Sequence, residues 1–146
     1  MREIKFRAWD KELKKMCNLI NLDWFVNSAS GESPSWIKVE RNINDENGKY
    51  CRTDEKEGTQ GVFELMQWTG LKDKNGKEIY EGDIVKFGKE IGSVEWFNGD
   101  CPEFFISSGP YGGKFAFYEM QGKLFCWNEL EIVGNIYENP ELMEAK

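Results

Sequence analysis

Asp73, Glu78, Glu81 and Asp83 put four carboxylates into one short stretch. Carboxylates could hold a divalent cation or share acid/base work, provided a rigid frame fixes at least two of them close together. Here they alternate with Lys72, Lys74 and Lys77 around a turn, which fits a solvated, charged hairpin better. Asp83 can also accept backbone N–H bonds inside its own turn. A second candidate, Gly109-Pro110-Tyr111-Gly112-Gly113-Lys114, is glycine-rich as phosphate cradles are, but it lacks the P-loop spacing and the following Ser or Thr. It reads as a mobile loop. The four cysteines, at 17, 51, 101 and 126, form no Cys-x-x-Cys pair. They read as free, mostly buried thiols rather than as a zinc or redox site. The chain has no histidine, which removes the commonest metal ligand and every Ser-His-Asp or Cys-His arrangement. No catalytic residue, metal set or cofactor site emerges, and the protein is not expected to be an enzyme. What remains for recognition are aromatics beside a polar segment: Trp24, Phe25 and Trp36. They could anchor a partner protein, or they could pack that segment onto the main fold.

The elements that would position these residues read as strands. Lys74-Asn75-Gly76-Lys77 is a tight-turn signal between Leu65–Thr69 and Glu78–Tyr80, both strand-like. Glu81-Gly82-Asp83 breaks the run, and Ile84–Phe87 begins a new strand. Ser93–Phe97 is the next, and alternation puts Val85, Phe87, Val94 and Trp96 in the core. Residues 2–9 alternate, with Ile4, Phe6 and Ala8 on one face. A strand is expected around Lys15–Ile20. Glu103–Ile106, Phe115–Tyr118, Leu124–Trp127 and Leu130–Tyr137 complete the set, with turns at Asn98-Gly99 and Gln121-Gly122. Asn139 and Pro140 could cap one closing helical turn. Residues 27–61 are polar and glycine-rich. They read as an inserted, partly mobile arm, with a short ribbon of Trp36–Val39 and Lys49–Cys51 around Asn47-Gly48.

The 146 residues suit one domain, residues 1–146, with 62–137 as its core. Charged residues make up 31%, and no apolar run approaches a membrane span. With no signal-peptide pattern at the start, the expected compartment is the cytoplasm. The net charge is −7, carried by residues 90–146, with 3 basic and 10 acidic side chains. That half repels phosphate backbones, so nucleic acid is disfavoured as a partner. Only residues 2–15, with 6 basic and 3 acidic side chains, support a nucleic-acid-binding alternative.

Gly82-Asp83-Ile84-Val85-x-Phe87, followed by Gly92-Ser93-Val94-Glu95-Trp96, resembles the glycine-bent strands of SH3-like barrels. More specifically, three blocks together resemble the YopX family: Arg2-Glu3-Ile4-Lys5-Phe6-Arg7-Ala8-Trp9-Asp10, the stretch Met66 to Val85, and Gly134-Asn135-Ile136-Tyr137-Glu138-Asn139-Pro140-Glu141-Leu142. Trp68 stands where that family more often has Tyr. The family is typically carried by bacteriophages and prophages. The resemblance implies a mainly β fold, an SH3-like barrel or roll with an N-terminal strand extension and an inserted arm. It implies no catalytic residues. The resulting expectation is a phage or prophage accessory protein in the host bacterial cytoplasm. It would act by protein binding, as a homo-oligomer and on a host or phage protein.

Overall fold

Alternating side chains and turn glycines fold the described residues mainly into antiparallel strands. The computed structural model describes residues 3–24, 34–44, 46–47, 49–58, 61–97, 100, 103–108, 114–116 and 129–144. Along them run β1 (Phe6–Asp10), β2 (Lys15–Trp24), β3 (Pro34–Asn44), β4 (Tyr50–Gly58), β5 (Phe63–Lys72) and β6 (Glu78–Tyr80). Then follow β7 (Asp83–Phe87), β8 (Glu90–Phe97), β9 (Glu103–Ser107), β10 (Lys114–Ala116), β11 (Glu131–Asn135) and the one-turn helix α1 (Glu141–Glu144). The expected turns at Asn98-Gly99 and Gln121-Gly122, the strand Leu124–Trp127 and the loop Gly109–Gly113 lie outside the described residues. The chain divides into two compact units, Phe6–Met66 and Met1–Lys5 with Gln67–Lys146. Each has its own core.

In the unit Phe6–Met66 the strands lie in the order β4-β3-β2-β1-β5. Ala8 pairs with Cys17, Leu19 with Val39, and Ile37 with Gly58. Opposite residues share a face. That face therefore gathers Ala8, Cys17, Ile37, Val39 and Phe63 into a core, with Leu19, Val62 and Leu65 packed against it. The expected short ribbon is a long hairpin, paired from Ile37↔Gly58 to Asn44↔Tyr50. Ile37 and Val39 are fully buried. They are apolar anchors within a stretch whose charged residues mask them, because the charges occupy the alternate positions. Ile4, expected on one strand face with Phe6 and Ala8, precedes β1, which starts at Phe6, and is 67% exposed.

In the other unit, β6 pairs with the later half of β5, Trp68 facing Tyr80. A second sheet runs in the order β10-β9-β8-β7-β11. Ile79, Val85, Phe87, Val94, Phe104, Ile106 and Leu130 form its core. Val85, Phe87 and Val94 are where alternation puts them. Trp96 is not buried: it keeps 39% of its surface exposed, at the end of β8, with its ring edge-on to Phe104 at 4.7 Å. Gly76 (φ 81°) and Gly82 (φ 83°) take the left-handed conformation their turns require. The Gly82 N–H donates to the Val94 carbonyl, and its own carbonyl accepts from Ile136. At the C-terminal end the helical turn forms. The Asn139 side chain, however, accepts from the Asn135 N–H at 3.4 Å rather than serving as its cap.

The fold is thus mainly β, two antiparallel sheets with almost no helix. Among the described residues both sheets are open and no barrel closes, which corrects the expected SH3-like barrel. The alternation and glycine bends that pointed to a barrel are present, but they specify strands and turns. Closure also needs the end strands to pair, and local sequence does not encode that.

Candidate interaction surface

The turn at Asp73 shows what the carboxylates do. Asp73 Oδ1 accepts the N–H groups of Asn75 and Lys77, both at 2.9 Å, and Oδ2 accepts that of Ile132 at 3.1 Å. The Lys74 N–H reaches the Leu130 carbonyl at 2.8 Å. One buried carboxylate thus shapes the hairpin turn and ties it to the start of β11. Burial opposes its ionisation, but the three N–H donors and the Lys77 charge outweigh that and hold the carboxyl below its ordinary value.

Glu78 is occupied differently. Lys5 Nζ lies 2.7 Å from Glu78 Oε1, 3.5 Å from Glu3 and 4.7 Å from the centre of the Trp68 ring. Tyr80 Oη donates to Glu78 Oε2 at 3.1 Å. The bond from Lys5 lowers the Glu78 pKa, and the same bond raises that of Lys5. Asp83 Oδ2 accepts the Tyr80 N–H at 2.8 Å. Asp73, Glu78 and Asp83 therefore serve separate structural bonds. Among the described residues, no group of three or more metal-ligating side chains comes together.

In the unit Phe6–Met66, a charged cluster that the sequence did not single out links β1, β3 and β4. Asp10, fully buried, accepts the N–H groups of Glu12 and Leu13 and faces Arg41 Nη1 at 3.3 Å. Arg41 grips Asp54 with two bonds, at 2.9 and 2.8 Å. The Asp54 bonds, with those from Asp10, outweigh burial and raise the Arg41 pKa. Burial, then the charge of Asp10, pushes the free thiol of Cys17 up to about 11. It is protonated and poorly nucleophilic at neutral pH. Arg41 Nη1 and Asp10 lie 31 positions apart in sequence, so only the β1–β2–β3 register brings them together.

The three aromatics proposed for recognition fall partly outside the described residues. Phe25 is outside. Trp24 and Trp36 have described backbone only: Trp24 pairs with Pro34 and Trp36 with Asp23, at the far end of the β2–β3 ladder. The surface that is described points elsewhere. β4 ends the strand order of its sheet, and Tyr50 at its start is 57% exposed. Strand β4 is charged along its length, Arg52-Thr53-Asp54-Glu55-Lys56-Glu57. Lys56 bonds Glu12, and Lys38 bonds Glu55 at 2.7 Å.

Two open antiparallel sheets among the described residues, with a core in each unit, make this a mainly β protein. The chain belongs to the YopX protein family, whose profile matches residues 5–144. Among solved structures it is similar to protein EF1440 from Enterococcus faecalis. The two share 26% identity over 98% of this chain and 99% of that one, with a TM-score of 0.54. No curated protein matches the sequence.

Proposed function

We propose that this protein works by binding protein, first a second copy of itself and through that assembly a host or phage partner, as an accessory protein of a phage or prophage in the bacterial cytoplasm. The observation that carries this reading is the nine-residue strand β4 at the outer end of an open sheet. An edge of that length is a template for another strand. The half-exposed Trp96 and Tyr50 add amphipathic area of the kind that interfaces use. The sequential, glycine-bent strands β7 to β9 support an SH3-like roll for the second sheet. The nucleic-acid alternative is less well supported. Two of the basic residues on which it rests are paired within the chain, Lys5 with Glu78 and Lys11 with Glu64 at 2.7 Å. Light scattering across a dilution series tests the reading, beside an electrophoretic shift with duplex and single-stranded DNA at low and moderate salt. Mass that rises with concentration supports it. A strict monomer that binds DNA tightly in moderate salt overturns it.

A further inference from the structure

The self-association proposed above, on which this inference rests, can be assigned to one strand and one register. Two copies of an edge strand can join antiparallel into one continuous sheet about a two-fold axis normal to the sheet. Opposite residues must lie on the same face, so that axis always places some residue opposite its own copy. Along the centre of β4 the choices are Arg52, Thr53, Asp54, Glu55 and Lys56. Four of these carry charge, and each of those would face an identical charge across the axis. Like charges directly opposite destabilise a sheet. An axis at Asp54 would also set Arg52 against Lys56. Thr53 is the one uncharged residue of the five, and it is exposed. An axis at Thr53 sets position 52, an arginine, across from position 54, an aspartate, and does so twice by symmetry. It then sets Glu55 across from Cys51 and Lys56 across from Tyr50, so no like charges meet. In this register the one charged pair brought face to face is position 52 with position 54, of opposite sign, whereas each neighbouring register sets identical charges on the axis.

We infer that β4 is a homodimerisation edge, and that two copies of the chain pair antiparallel along it with Thr53 on the two-fold axis. The central Thr–Thr contact suits a β-branched pair, and the alternating charges bar one-step slips of the register. The same charges reject unrelated apolar strands, so the edge selects its own copy.

Charge placed on the axis tests this. Thr53→Lys and Thr53→Asp each put like charges opposite each other, and each variant should dimerise about tenfold more weakly than the parent at low salt. A one-to-one mixture of the two should regain a dimer, because Lys then faces Asp, and that dimer should be mixed in composition by native mass spectrometry. Circular dichroism verifies that both variants stay folded. If either does not, Thr53→Cys replaces them: it should give a reducible cross-linked dimer under mild oxidation, and Lys38→Cys on β3, one strand in from the edge, should not. If the parent self-associates but the Thr53 variants do so equally well and Thr53→Cys fails to cross-link, the β4 assignment is overturned while the self-association reading stands. A parent that is monomeric at every concentration overturns both.

Discussion

Removing the carboxylate of Asp73 should destabilise the unit that contains β6 to β11 out of proportion to one side chain. In Asp73→Ala three backbone N–H groups lose their acceptor. Those of Asn75 and Lys77 lie in an exposed turn, where water can replace the carboxylate. That of Ile132 is half-buried and less easily rehydrated. A hydrogen bond to a charged acceptor contributes about 1.5–3 kcal/mol, and a rehydrated donor recovers much of that. The expected loss is therefore about 2–4 kcal/mol, most of it from the link to Ile132. Asp73→Asn keeps one oxygen acceptor and should lose less. The pH dependence has a definite sign. The folded carboxyl sits below its ordinary 3.8, so its contribution is present above that value and is lost as the pH falls through the lower folded value. The stability gap between parent and Asp73→Asn should close below about pH 4. Urea unfolding followed by circular dichroism measures the loss, and hydrogen exchange should locate it at Asp73–Lys77 and β11. A midpoint shift no larger than that of the exposed control Lys89→Ala would refute the reasoning.

Other expectations concern the two cores. Phe87→Ala should cost about 3–5 kcal/mol in a urea melt, because Phe87 is a buried member of its core cluster; a melting temperature unchanged within a degree or two would contradict that packing. Gly92→Ala should also destabilise its sheet. An added Cβ would stand 2.5 Å from Ile106 Cγ2 and 2.8 Å from the Ser107 carbonyl oxygen, and the backbone cannot easily withdraw. Gly76→Ala meets no atom, so its loss should come from its left-handed backbone alone and be smaller. Cys17 should react with a thiol reagent near pH 8 far more slowly in the folded than in the unfolded protein, as its burial and raised pKa require. Equal rates in the two states would contradict this.

What the residues disclosed in advance was local. Asn75-Gly76 and Gly82 demanded turns and formed them, and period-2 alternation located Val85, Phe87 and Val94. Alternation failed for Trp96 because it says which face a side chain takes, not whether anything covers that face at the end of a strand. The hairpin β3–β4 was partly hidden, since Ile37 and Val39 are spaced among charges that mimic a polar arm. The long-range links were not legible at all. Asp73 reaches Ile132 across 59 positions and Arg41 reaches Asp10 across 31, and nothing near either carboxylate announces its partner. An edge strand leaves only its charge order, whose meaning appears once its place at the end of a sheet is known.

Sedimentation equilibrium of the unaltered protein, from low micromolar to near-millimolar concentration in low and moderate salt, tests the central claim of action through protein contact most directly. The expected result is a reversible rise from the 17.0 kDa chain toward twice that mass, weaker in moderate salt as charge pairing across β4 requires. A single mass of one chain at every concentration would contradict it.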